Sequence, residues 1–302
     1  MGKLYNKFDG WLAINKEVGI SSAKVVNQVK KIMNLRKAGH AGTLDPLASG
    51  VLPIALGEAT KTMSYAMQTY KTYEFDINWG VATETDDLEG RTSNISKVRP
   101  SKNEIIRALP TFIGNIKQKP PAFSAIKIDG IRSYKLARNS IIIDIPEREV
   151  FIKNFKLVKS FDEHKARFIV ESGKGVYIRS LARDLANYLN TYGHISYLKR
   201  LSVGTFLYKD AILLADLVNL VDKATISKVI RPISFVLDDI PAIDINSNEA
   251  LLISSGQRIY KEDIELVEGK NYKEAFITSD GTPIALAKLE GRYIFPFRVF
   301  NN

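Results

Sequence analysis

The chain has 302 residues, 45% hydrophobic and 25% charged, which is ordinary globular usage and enough length for one large unit or a large unit with a small one. It has no cysteine, so disulfides, thiolate nucleophiles and cysteine-ligated metals are excluded, and the three histidines (His40, His164, His194) are too dispersed for a histidine metal site. No apolar run approaches the ~18 residues that would span a bilayer. The N-terminus, MGKLYNKFDGW, lacks an export signal's apolar core and has Asn6 where a myristoylation signal needs Ser or Thr, so a cytoplasmic location is expected.

The net charge is +10 and unevenly placed. Residues 246–302 hold seven Lys/Arg and eight Asp/Glu, which leaves +11 on residues 1–245. Two readings fit: a polyanionic partner bound by the larger part, or a solubility charge in a lysine-rich protein.

In chain order, Phe8 to Asn15 reads as a strand that ends in a turn around Gly19. Ser21 or Ser22 then caps a helix to about Asn34, with Val25, Val26, Val29, Ile32 and Met33 at helical spacing. Gly39 to Lys61, rich in Gly and Pro, is expected to be a structured loop, followed by a helix from about Lys61 to Met67. Tyr70 to Trp79 alternates as a half-buried strand, with Tyr73, Phe75, Ile77 and Trp79 on one face. Gly80 to Asn94 is an acidic loop, and Ser101 with Glu104 has the form of a capping box.

Residues 110–124 read as an extended exposed loop. Ala125 to Ile128 and Ile141 to Val158 are strand-like, with the short basic helix IRSYKLAR between them. Lys165 to Glu171 alternates as a strand. Ile178, Leu181, Ala182, Leu185, Tyr188 and Leu189 then mark an amphipathic helix. YLKRLSVG leads into a second helical pattern, LLADLVNLVDKA. Ile233 to Ile245 reads as a linker, and the rest alternates short strands with turns, a small β-rich unit. The expected fold class is α+β: a mixed, mainly antiparallel sheet with flanking helices, plus a small β-rich C-terminal domain.

The chemistry-bearing candidates are few. There is no G-x-G-x-x-G and no G-x-S-x-G, and GEATKT lacks the upstream glycine of a phosphate loop, so a nucleotide-driven transferase is not supported. Asp45 is the only acid from Gly39 through Gly57. An Asp before Pro commonly makes a turn. A catalytic carboxylate is the alternative, favoured by the glycines that let a ligand approach the backbone. Arg179, at the start of an apolar helix, is the best candidate partner; it could equally be a solvated surface arginine. Tyr73 and Tyr177 fit either a core or a base-stacking role.

These residues fall in a recognisable series. HAGTLDPLASGVLPIALGEATK resembles the catalytic signature of the TruB family of tRNA pseudouridine synthases. KTYEFDINWGVATETDDLEG resembles its second block and QKPPAFSAIKIDGIRSYKLAR its third. SGKGVYIRSLARDL and YLKRLSVGTF resemble the fourth and fifth. The blocks run in family order from residue 11 to about 206. Val176 stands where the family usually has Thr, and Lys199 where many members have Arg; both are expected to be peripheral to the chemistry.

The resemblance implies a catalytic domain over 1–240, with an RNA-clamping insertion at about 80–150, and a PUA-like RNA-binding domain over 246–302. It implies isomerisation of the uridine at position 55 of the tRNA T-loop, by base flipping and without cofactor or metal. The expected partner is the T-arm stem-loop, bound by a monomer needing no protein partner and no membrane. By motif match Asp45 acts on the nucleotide, Tyr73 stacks on the flipped base, and Arg179 pairs with Asp45 while Asp87 holds Arg179. Tyr177 and Leu198 line the pocket. His40 fills space left by displaced loop bases, and Lys16 and Lys61 either support the loop or contact RNA. The basic 117–138 segment clamps the T-arm. Two other readings are an inactive RNA-binding protein and a guide-RNA-dependent enzyme of larger ribonucleoproteins. The intact Asp45, Tyr73 and Arg179 speak against the first, the 80–150 insertion against the second.

Overall fold

The computed structural model of the chain describes residues 5–124, 126–128, 131–133, 145–222, 225–262 and 272–301. Strand β1 (Gly10–Lys16) leads into helix α1 (Ser22–Ile32), whose N-cap is Ser21, accepting from Lys24 N. β2 (Ala38–His40) and β3 (Ser49–Leu56) follow, then α2 (Met63–Gln68), β4 (Lys71–Trp79) and the hairpin β5 (Val81–Thr83) with β6 (Thr92–Ile95). Helix α3 (Lys102–Ala108) has the capping box expected of Ser101 and Glu104.

β7 (Gly114–Gln118) precedes a two-residue-strand hairpin, β8 (Lys127–Ile128) and β9 (Ile131–Arg132). The long antiparallel pair β10 (Arg148–Ser160) and β11 (Lys165–Ser172) leads to α4 (Ile178–Tyr188). β12 (Gly193–Val203), β13 (Phe206–Leu207) and α5 (Leu214–Asp222) complete the larger part.

The main sheet runs β1-β3-β12-β4-β11-β10-β7, with β2 added to β3 and β13 to β12. Its pairings are antiparallel except β3 with β12. This is the mixed, mainly antiparallel sheet expected. α4 lays Leu181, Ala182, Leu185 and Ala186 on this sheet in one core with Phe75, Ile77 and Leu198. The rings of Phe155 and Phe168 stack on Phe75, with centroids 6.0 and 5.5 Å away.

Several expectations need correction. The stretch Gly39–Lys61 is a loop only in part, because Ser49–Leu56 is a buried strand. Pro53 is tolerated there because it lies between the residues that pair with β12 (Ser49, Gly50) and those that pair with β2 (Ile54 to Leu56). Its carbonyl still accepts from Ala41 N at 2.9 Å. The 110–124 segment is not an exposed loop. It supplies the edge strand β7 and buries Gln118, Pro120 and Pro121. Ile131 and Arg132, expected to start a basic helix, are in β9; residues 134–144 of that reading, and Ala125, lie outside the described residues. β12 was not legible because two register shifts, at Ile195/Tyr197 and Arg200/Ser202, break its alternation.

Residues 233–245 are no free linker. Ile233 and Leu237 are buried with Trp11, Val51 and Phe206. β14 (Ala242–Asp244) already belongs to a second sheet, with α6 (Ser247–Ser254), β15 (Ile259–Tyr260), β16 (Glu274–Ser279), β17 (Thr282–Glu290) and β18 (Tyr293–Val299). Phe276, Leu286 and Phe300 of this β-rich unit share the Trp11 cluster.

β3 and β12 pair through Gly50 and Arg200. A Cβ at Gly50 would stand 2.2 Å from Arg200 O, and Gly50 has φ +103°, where side chains are strained. Gly50→Ala should therefore destabilise the fold by about 2 kcal/mol or more. Urea titration followed by circular dichroism measures this, and an unchanged midpoint would contradict it.

Candidate active site

The loop from Ala41 to Ala48 is held by side chains rather than by a ladder. Ser22 Oγ donates to Leu44 O at 2.9 Å and accepts from Leu44 N at 2.8 Å. It is free to do so because Ser21, not Ser22, caps α1. Lys16 is wholly buried, and its ammonium donates to Ile20 O (2.7 Å), Glu17 O (2.9 Å) and Pro46 O (3.2 Å). Lys16 thus supports the Asp45 loop from beneath and has no surface to offer RNA.

Arg200, also wholly buried, grips the other side. It donates to Val51 O (2.8 Å), Gly42 O (3.0 Å) and Thr43 O (3.5 Å). Register sets Tyr73 of β4 directly opposite Arg200 of β12.

So braced, the loop presents Asp45 with about a third of its side chain exposed (36%). Arg179, near the start of α4, is only 5% exposed. Its Nε donates to Asp45 Oδ2 at 2.9 Å, its Nη1 to Thr85 O at 2.9 Å and its Nη2 to Phe123 O at 3.0 Å. The Asp87 carboxylate lies 3.6 Å from the same Nε. It is itself fixed by the Thr85 hydroxyl and by Glu89 N at 3.0 Å. The buried Gln118 carboxamide accepts from Tyr177 N (2.8 Å) and donates to Tyr177 O (3.1 Å), which sets the entry of α4.

Asp45, Arg179, Tyr73, Tyr177, Leu198 and Arg200 line one cavity of about 730 Å³, within the range of small-molecule sites. Of the sequence candidates, the structure brings Asp45, Tyr73, Tyr177, Arg179 and Leu198 to this cavity, with Asp87 behind Arg179. His40 and Lys61 do not line it. His40 sits on β2, half-buried, and burial together with Arg200 holds its imidazole below the ordinary pKa. Lys61 pairs with Glu58 and donates to Val299 O at 2.6 Å, so it ties the main sheet to the C-terminal strand. Val176 lines the cavity and is not peripheral, whereas the Lys199 ammonium sits 3.4 Å over the Tyr208 ring.

Sequence reasoning missed Arg200, Lys71, Gln118 and Thr85. Lys71 lines the cavity, and burial beside Arg200 pushes it down to about 8. The signal available for Arg200 was a second basic residue beside Lys199 in YLKRLSV, legible as inward-facing only once that stretch is known to be a strand.

Two family descriptions divide most of the chain. One, TruB family pseudouridylate synthase (N terminal domain), matches residues 30–178; the other, tRNA pseudouridylate synthase B C-terminal domain, matches 179–238. Both define the class of pseudouridylate synthases, which suits a nucleoside-sized cavity built round one arginine-bound aspartate. Within that class, the chain belongs to the TruB family. It is 42% identical to tRNA pseudouridine synthase B of Bradyrhizobium diazoefficiens, over 97% of this chain and 86% of that protein. It is 48% identical to the protein of that name from Gluconacetobacter diazotrophicus, over 85% of this chain and 84% of the relative. Among solved structures, an H/ACA RNP bound to a substrate RNA containing 2′-deoxyuridine shares the fold. The TM-score there is 0.73 at 23% identity, over 97% of this chain and 85% of that one. The second family match ends before the small β-rich unit, at residue 238.

Lys16 yields a pH prediction. Burial, partly opposed by Asp45, pushes its pKa down from 10.5 to about 8. Between those values the unfolded chain holds a proton that the folded chain has released, so stability rises with pH across that window. The unfolding free energy of the wild type relative to Lys16→Met should therefore grow from pH 8 to pH 10, by about 1.4 kcal/mol per unit of displacement at most. Parallel denaturant titrations test this; a difference that stays flat with pH would contradict it.

Proposed function

We propose that this chain converts uridine to pseudouridine in tRNA, at position 55 of the T-loop, with Asp45 as the carboxylate that acts on the nucleotide. The reading is carried by one observation: Asp45 faces the cavity with about a third of its side chain exposed, held by the Nε of a buried arginine whose Nη1 and Nη2 are each anchored on a backbone carbonyl.

The chemistry asks for little else. The bond from C1′ to N1 breaks and one from C1′ to C5 forms, C5 loses a proton and N1 gains one. No electrons are gained or lost, so the isomerisation balances without an external reagent. A carboxylate can serve by attacking C1′, by adding to C6 or by taking a sugar proton, and in each case its direction must be fixed beforehand. Arg179 does that here.

A uridine in a folded T-loop is out of reach of this cavity, so it must be flipped in. Tyr73, set opposite Arg200 by the strand register, offers a ring for the base, and stacking of this kind contributes ~1–3 kcal/mol. Tyr177 and Leu198 are among the other apolar walls. The excess of +11 on residues 1–245 suits the phosphates of the T-arm. The small unit from 246 adds RNA contacts as a PUA-like domain, and residues of about 80–150 serve as the RNA clamp. The enzyme works as a monomer, without guide RNA or partner protein, in the cytoplasm. Among the described residues, no helix is long and apolar enough to cross a membrane.

Asp45→Asn should abolish pseudouridine formation in a T-arm stem-loop while tRNA affinity stays within about tenfold, since the phosphate contacts remain. Chemical labelling followed by mass analysis reads the product, because isomerisation alone leaves mass unchanged. Product at the wild-type level from the variant would remove Asp45 from this role, and no product from the purified wild-type chain on bare tRNA would contradict stand-alone action.

A further inference from the structure

Arg183 stands one helical turn beyond Arg179 on α4 and repeats its connections. Its Nη1 donates to Asp86 Oδ2 at 3.0 Å and its Nη2 to Lys119 O at 2.8 Å. Arg179 reaches the same two segments through Thr85 O and Phe123 O. Ser180 Oγ adds a third tie, to Lys119 O at 2.9 Å. One face of α4 therefore clamps the 85–87 turn and the 119–123 segment twice, and only the inner clamp touches Asp45.

The turn itself is demanding. Asp86 is buried and has φ +61°, a left-handed backbone that few side chains adopt. Its N donates to Thr83 O at 3.2 Å and its O accepts from Ile195 N at 3.0 Å, so both peptide groups are engaged. Its two chain neighbours are Thr85, whose carbonyl receives Arg179, and Asp87, whose carboxylate faces Arg179 Nε. A rotation at Asp86 would displace both of these partners together. Burial raises the Asp86 carboxyl to about 6, with Arg183 and Arg179 opposing the rise and Asp184 adding to it. A buried carboxylate in a strained turn persists where its surroundings over-determine it.

We propose that Asp86 and Arg183 are a positioning pair for the isomerisation: they fix the 85–87 turn so that Arg179 presents its Nε to Asp45. The pair touches no reacting atom and acts through Arg179. The proposal rests on the reading of Asp45 and Arg179 given above. It predicts a loss in the chemical step, because sub-ångström misplacement of a catalytic group slows reaction without weakening distant phosphate contacts.

The test uses Asp86→Asn, Arg183→Gln and the double variant in the full chain. Asn tolerates the left-handed backbone, so the first variant keeps the turn's shape while removing the charge. Single-turnover rates are measured on a T-arm stem-loop at saturating enzyme, well below each variant's melting temperature, alongside RNA affinity by filter binding. Each single variant is expected to lose roughly tenfold in rate with affinity within about twofold, and the double to be no slower than the slower single, as for residues acting as one unit. Rates within twofold of wild type, a loss confined to RNA affinity, or losses that multiply in the double would each overturn the proposal. An inactive wild-type chain in the same assay would instead overturn the reading of the site.

Discussion

The structure turns on a buried guanidinium that engages all three of its nitrogens. Arg179 spends one nitrogen on Asp45 and the others on the carbonyls of Thr85 and Phe123, with Asp87 beside it. A buried arginine left unpaired would be strongly destabilising. The fold must therefore bring four segments to one point: the Asp45 loop, the 85–87 turn, the 119–123 segment and the start of α4. Asp45 then faces the cavity with its direction set before any substrate arrives.

The Asp45 loop cannot hold itself, since residues 41–48 have no strand partner. Buried charge does the holding. Lys16 from below and Arg200 from the side each satisfy their donors on backbone carbonyls at or beside the loop, and Ser22 closes it with a reciprocal pair. Placing cations against carbonyl oxygens leaves the only partly exposed carboxylate of this loop for the cavity. The glycine at position 50 lets β3 and β12 approach closely enough for Arg200 to reach across.

Much of the fold was legible in the sequence. The alternation of Tyr73, Phe75, Ile77 and Trp79 and the helical spacing from Ile178 to Leu185 directly express burial on one face. Local capping was legible too, at Ser101 with Glu104. What escaped depends on tertiary context. Ser49–Leu56 looks like a loop because Gly50 and Pro53 punctuate it, yet both are explained by neighbouring strands far away in sequence. β12 is broken by two bulges, so Arg200 gave no periodic signal. At the site, the cavity collects Asp45, Tyr73, Tyr177 and Arg179, offered by the residues themselves, and Leu198, supplied by the resemblance. The resemblance also supplied Lys61, which the structure commits to Val299, and His40, which lies on β2 outside the cavity lining. Motif membership alone does not distinguish a residue that faces substrate from one that braces a wall.

The central claim is that the fork of Arg179, and not merely its positive charge, sets Asp45. Arg179→Lys keeps the charge but cannot reach three partners from one planar group. The most direct measurement is the single-turnover rate of uridine isomerisation by this variant on a T-arm stem-loop, together with its affinity for that RNA. The account predicts a rate lower by about a hundredfold, with affinity nearly unchanged. A rate within a few-fold of wild type would contradict it.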